Sequence, residues 1–289
     1  MYKTALILEG GSLRTFFTAG ILDYFVKHNI NFDYINGVSA GAMCACDYLS
    51  KQAGRVFKTN LHFLHDKRYL SLRNWIFHKE MFNLDFMFSS AFEDYLPFDY
   101  QTFYDNKTIF EITATNCLTG KNKFFQKDAT NKWIAAVKAS SSMPIFSKII
   151  TIDHIPYLDG GISNSIPFQR ALNLGYKKIV IILTRDLTYS KSTNKRFVNR
   201  IIRSHFYKYP NFVKAVISRP SRYNQQVTKI NRLNGEGKVF VIRPQKPVTV
   251  SRMEKDKTKL KDLYQQGLEI IQHKMPLLKA YLEKPIPNI

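Results

Sequence analysis

The sequence predicts an α/β domain built on a parallel sheet with helices on its faces, and three observations carry that prediction. A strand, loop, helix, strand, turn, helix order fills the first 50 residues. Glycine-rich turns follow apolar stretches at Gly10-Gly11, at Gly37 to Gly41 and at Gly160-Gly161. Lys178 to Leu183 is a short β-branched run of the kind that lies in the centre of such a sheet.

Taken in order, Lys3 to Leu8 reads as a short buried strand running into Glu9-Gly10-Gly11. Phe16, Phe17, Ile21, Leu22, Phe25 and Val26 recur at helical spacing until Asn29 marks a stop. Tyr34 to Val38 is extended, and a small-residue helix runs from Ala40 to about Ser50. The aromatic-rich stretch 55 to 105 reads as helices packed on an apolar core, in preference to a lipid-binding wall. Thr108 to Thr115 and Lys123 to Gln126 read as paired strands, Asn131 to Ala139 as a helix, and Lys148 to Ile152 and Ile155 to Leu158 as strands. The stretch 194 to 231 is mostly helical with breaks expected at Pro210 and Pro220. Val239 to Ile242 is a last strand, and Asp256 to Leu282 a terminal helix or helix pair. With no internal repeat and no linker, residues 1–289 read as a single domain. A basic helical segment at about 191–232 and a C-terminal helical extension at about 254–283 decorate it.

Composition narrows the function classes. Hydrophobic residues at 45% and charged residues at 22% describe a globular chain. Apolar runs such as Ile179 to Leu183 fall far short of the ~20 residues of a spanning helix, and Glu9 interrupts the first apolar stretch too early for a signal peptide. Cys44, Cys46 and Cys117 suit a reducing compartment and lack a fourth ligand at zinc spacing, so a cytoplasmic protein without metal or cofactor is expected. The 43 Lys and Arg against 22 Asp and Glu give a net charge of +21. No acidic residue occurs between Asp186 and Glu236, whereas Lys191, Arg200, Arg219 and Arg232 are among many bases there. Such a face attracts polyanions, with reversible contact at an anionic membrane surface expected and no specific nucleic acid.

Gly37-Val38-Ser39-Ala40-Gly41 matches G-x-S-x-G between a strand and a helix. That turn strains the serine backbone and presents its hydroxyl at the strand end, beside a helix N-terminus that favours developing negative charge. Glu9-Gly10-Gly11-Ser12-Leu13-Arg14-Thr15 offers backbone N–H groups to an anion, either a phosphate or an oxyanion. A dinucleotide fingerprint would require glycines where Ser12 and Thr15 stand. Asp159-Gly160-Gly161 puts a carboxylate at a strand end, and the three loops can converge on one edge of a parallel sheet. Too few strands precede Ser39 for an α/β-hydrolase, and His205 and His273 sit in charge-rich helical segments as surface residues. What remains is a serine activated directly by a carboxylate.

Gly10 to Arg14, Gly37 to Gly41, Asp159 to Gly161 and the block Ala139 to Phe146 together resemble the bacterial patatin-like phospholipases. The tail around Val250 to Asp256, with Leu263, Tyr264 and Gly267, is similar to one bacterial subgroup. The resemblance implies a three-layer α/β/α sandwich with a mostly parallel sheet, and hydrolysis of lipid acyl esters by a Ser–Asp dyad. Ser39 would be the nucleophile and Asp159 the base, the two hydrogen-bonding directly at ~2.6–3.2 Å in a competent state. The N–H groups of Gly10, Gly11 and Ser12 would form the oxyanion hole, supported by Arg14, Gly37, Gly41 and Gly160. The family usually has glycine where Ser12 and Thr15 stand, so this loop is the place to look for a weakened or specialised enzyme. Ser140, Ser141 and Ser142 are expected to hold their loop through backbone hydrogen bonds. The alternative class is a catalytically weakened protein of this fold that binds anionic lipid or another polyanion.

Overall fold

The structure is a computed structural model, described here for residues 3–284 apart from 70, 72–81 and 194. Eight strands form one mixed sheet: β1 (Thr4–Leu8), β2 (Tyr34–Val38), β3 (Ile109–Asn116), β4 (Asn122–Gln126), β5 (Ile150–Ile152), β6 (Ile155–Asp159), β7 (Lys178–Ile182) and β8 (Phe240–Ile242). The order is β5-β6-β3-β2-β1-β7-β8, with β4 also pairing β3. From β3 to β8 the strands are parallel; β4, β5 and β6 join by antiparallel pairing.

Period-two alternation assigns the layers. Leu6 and Leu8 point into one core with α1 (Phe16–Lys27), α2 (Ala40–Leu49) and α3 (Arg55–Phe63). The short helices α4 (Leu84–Met87), α5 (Ser90–Tyr95) and α6 (Tyr100–Asp105), together with α7 (Lys132–Ser141), cover the same side. Ala5 and Ile7 face the other core, closed by α8 (Phe168–Asn173) and by a long helix that follows α9 (Arg196–His205), namely α10 (Pro210–Gly235). The terminal α11 (Lys257–Glu283) returns to the first side and crosses α1 where Gly20 and Gly267 let the backbones touch. The result is the three-layer α/β/α arrangement.

Two local expectations change, and one open alternative is resolved. The helix expected to break at Pro220 runs straight through it. Proline removes the N–H that would bond Val216, while buried Phe212, Val213, Val216 and Tyr223 anchor the turns on either side; Arg222 Nη2 donates to the Ala215 carbonyl (2.8 Å) and to Ile162 (2.7 Å). The terminal segment is one helix, continuous through Pro276. β6 is antiparallel to β3, so Asp159 does not arrive on a parallel strand. It reaches the same edge because β3 outlasts β2: Val38 pairs with Thr113, and Asp159 pairs with the next residue, Ala114.

Candidate functional site

Ser39 sits between β2 and α2 with φ +55° and ψ −131°, a region an L-residue enters at a cost of about 1–3 kcal/mol. Its surroundings hold it there. The Ser39 N–H donates to Ser140 Oγ (2.7 Å), and the Ser140 hydroxyl donates to the Thr113 carbonyl (2.6 Å). The Ser39 carbonyl accepts from the Ala42 N–H (2.8 Å) at the start of α2. Gly37 lies in β2 and Gly41 in the first turn of α2, both against neighbouring backbone.

The loop after β1 lies directly on this turn. A Cβ at Gly10 would stand 2.8 Å from Ser39 Cβ and 2.7 Å from the Val38 oxygen, so only glycine permits the approach. Among the described residues, the N–H groups of Gly10, Gly11 and Ser12 have no acceptor. Ser12 has φ +53°, the left-handed conformation that glycine adopts without strain. Its hydroxyl is used: Ser12 Oγ donates to the Arg252 carbonyl (2.8 Å). Thr15, at φ −71°, needs no glycine, and its hydroxyl donates to the Ser12 carbonyl (2.7 Å). Behind the loop, the Glu9 carboxylate accepts from the Thr184 N–H (2.7 Å).

Asp159 is 6% exposed. Its Oδ1 accepts from the Gly161 N–H (2.7 Å), its N–H donates to the Ser142 carbonyl (2.8 Å), and its own carbonyl accepts from Thr115 Oγ1 (2.8 Å). The chain turns so tightly afterwards that a Cβ at Gly160 would overlap the Thr113 carbonyl. Among the described residues no hydrogen bond joins the Ser39 hydroxyl to the Asp159 carboxylate, contrary to the contact expected of a competent state; Oδ1 is taken by the turn. Of the three serines before the aspartate, Ser140 and Ser142 bond to backbone, but Ser141 Oγ is buried without a partner.

Ser39, Asp159 and residues 10–12 line one cleft of about 1540 Å³, its open mouth included. Ala40, Met43, Cys44 and Asp47 contribute one face of α2 to it. That face runs on to Val56, Phe82, Met87, Phe88 and Phe98, so aromatics of the 55–105 stretch serve both as core and as cleft wall. Residues 72–81 of that stretch lie outside the described residues. At the far end Asp47 pairs with Arg55 (3.0 Å); burial pushes the Asp47 carboxyl up to about 6 against the pull of that guanidinium.

Arg14 also lines the cleft, 8% exposed, with Nε lacking an acceptor among the described residues. Burial, with Arg185 and Arg252 nearby, lowers its guanidinium to about 10. Arg185, Lys191, Arg219 and Arg252 complete this side of the cleft. Sequence reasoning assigned Lys191 and Arg219 to a solvent face; what gathers them is the packing of α10 beside the turn after Asp159, and no motif announces it. Cys44 and Cys46 are buried and their thiols pushed up by that burial, while His205 and His273 are exposed and absent from the cleft. Among the described residues no group of three or more His, Cys, Asp or Glu is placed to hold a metal ion.

A family model described as patatin-like phospholipase matches residues 6–172, and one described as a domain of unknown function (DUF6363) matches residues 209–283. The uncharacterized protein YjjU of Escherichia coli K12 is 27% identical over 253 residues, covering 85% of this chain and 70% of that protein. Among solved structures, VipD from Legionella pneumophila aligns with a TM-score of 0.48 at 12% identity, over 97% of this chain and 67% of that one. With more than half of its length matched, and with the serine turn, glycine loop and aspartate all inside the match, the chain belongs to the patatin-like phospholipase family.

Proposed function

We propose that the protein is a serine hydrolase of lipid acyl esters working through Ser39 and Asp159. One observation carries this reading: a strained serine, a buried carboxylate and a loop of unpartnered N–H groups line the same cleft as an apolar wall. In the reaction Ser39 Oγ attacks the ester carbonyl while the Asp159 carboxylate takes its proton. The oxyanion is received by the N–H groups of Gly10, Gly11 and Ser12. Collapse expels the alcohol, which leaves with the proton from Asp159. A water then loses its proton to Asp159 as it attacks the acyl-serine, and the fatty acid departs as Ser39 regains a hydrogen. The acyl chain lies along the α2 face past Met43. Residues 1–289 act as one catalytic unit in this reading, because Arg219 and Arg252 share the cleft with Ser39.

Access to lipid follows from the surface. α9 buries Ile202 but leaves Phe197 71% and Ile201 38% exposed on one side, flanked by Arg196, Arg200 and Arg203. Tyr207 beyond its end is also 71% exposed. We infer reversible docking at an anionic bilayer, from the cytoplasmic side. Among the described residues no helix is long and apolar enough to cross a membrane.

The test is covalent labelling with a fluorophosphonate probe and peptide mapping of the adduct. Labelling at Ser39, lost in Ser39→Ala and at least 100-fold slower in Asp159→Asn on the order expected for a missing base, supports the dyad. Folded wild-type protein that does not label refutes it and leaves a polyanion-binding protein of this fold.

A further inference from the structure

One side of the cleft holds more positive charge than an ester hydrolysis needs. Arg14, Arg185, Lys191, Arg219 and Arg252 all line it, against the carboxylates of Glu9 and Asp159. Among the described residues none of these five cations makes an ion pair. Glu9 is engaged by Thr184, and Asp159 Oδ1 by Gly161. Arg14 is buried and Arg185, Lys191 and Arg219 are half-buried, while Arg252 is exposed. Arg14 Nε and Arg219 Nε are buried without acceptors, Lys191 Nζ stands 4.6 Å over the Tyr223 ring, and the Arg185 guanidinium lies 4.3 Å over Tyr189. Arg219 reaches in beside Asp159: a Cβ on Gly161 would stand 2.9 Å from both Arg219 Nη2 and Asp159 Oδ1. Buried, unpaired guanidinium groups are unfavourable unless an anion meets them.

We propose that this basin is a phosphate subsite, in which Arg14, Lys191, Arg219 and Arg252 receive the phosphate group of a lipid headgroup while the acyl ester lies at Ser39. The assignment of the ester to Ser39 rests on the function proposed above; the subsite itself does not. Phosphate fits because its tetrahedrally arranged oxygens meet charged donors that converge from several directions. The carboxylate product of hydrolysis is planar with two oxygens, and its acyl chain keeps it on the apolar side. Lys191 adds a signature. Burial, then Arg219, hold its ammonium down to about 7; Arg252 and Arg14 act in the same direction and Glu9 opposes them, with the Tyr189 and Tyr223 rings against it. A phosphate in the basin restores the proton, so binding takes up protons at pH 8.

The experiment uses the full-length Ser39→Ala protein, which keeps the basin and cannot turn lipid over, in isothermal titration against three probes. These are inorganic phosphate, dihexanoylphosphatidylglycerol below its micellar concentration, and dihexanoylglycerol. The phosphate-bearing lipid is expected to bind at least about 10-fold tighter than the neutral one, inorganic phosphate to compete with it, and Arg219→Gln to remove about 10-fold of the preference. Proton uptake, read by repeating the titration in buffers of different ionisation enthalpy, is expected to vanish in Lys191→Gln. Inorganic phosphate binding as tightly as the phospholipid supports the subsite with free phosphate as its ligand; tighter phospholipid binding supports the headgroup. Equal affinity for the two lipids together with no phosphate binding overturns the subsite, even where the variants fail to fold. Failure of fluorophosphonate labelling at Ser39 with phosphate binding retained overturns the hydrolase reading alone.

Discussion

Replacing Ser12 separates two opposing contributions that the structure places on one side chain. At φ +53° a residue with a Cβ costs about 1 kcal/mol relative to glycine. The hydroxyl returns a comparable amount through its 2.8 Å hydrogen bond to the Arg252 carbonyl, about 0.5–1.5 kcal/mol. Ser12→Ala keeps the strain and loses the bond, so it is expected to destabilise by about 1 kcal/mol. Ser12→Gly loses the bond and the strain together and gains about 0.5 kcal/mol of unfolded-state entropy, so it is expected to remain within about 0.5 kcal/mol of wild type. Glycine above alanine is the expected order, read by urea denaturation of all three proteins, with melting temperatures about 2 °C apart per kcal/mol in a chain of this size. Alanine equal to or above glycine would refute the strain, and an alanine variant as stable as wild type would refute the tether.

Two further outcomes follow from buried contacts. Ser140→Ala strips the Ser39 N–H of its acceptor and the Thr113 carbonyl of a donor; it is expected to cost about 1–3 kcal/mol and to slow fluorophosphonate labelling at Ser39. Lost stability with an unchanged labelling rate would make Ser140 structural only. Asp47 titrates at about 6 in the folded protein and near 3.8 when unfolded, so folding takes up a proton between those values. Its contribution to stability is full below 3.8 and is lost as pH rises through 6. Asp47→Asn is therefore expected to gain on wild type as pH climbs from 4 to 7 in paired denaturation curves; wild type gaining on the variant would show that Arg55 overcomes the burial.

The parts legible in the sequence were those written in neighbouring residues. Strand β1, the serine turn and the aspartate turn each declare themselves through an apolar run ending in glycine, because backbone that packs within 3 Å of other backbone leaves no room for a side chain. The direction of β6 was not legible, since an antiparallel strand of five residues has the same pattern as a parallel one. Pro220 misled because the turns around it are anchored by buried Phe212, Val216 and Tyr223, a burial visible only once the helix is packed. The cationic basin was hidden for a related reason. Arg14, Lys191, Arg219 and Arg252 come from four separate stretches, and only tertiary packing decides whether a lysine in a basic run faces water or a cleft.

The Ser12 tether reaches 240 residues along the chain, and β1 takes β7 as its neighbour on the side away from β2. On the ribosome the serine turn, the glycine loop and Arg14 emerge early, whereas Arg185, Lys191, Arg219 and the acceptor carbonyl of Arg252 follow well after them. A half-made chain thus carries Ser39 but not the anchor of its glycine loop. Synthesis order thereby leaves the glycine loop untethered until the segment around Arg252 has been made.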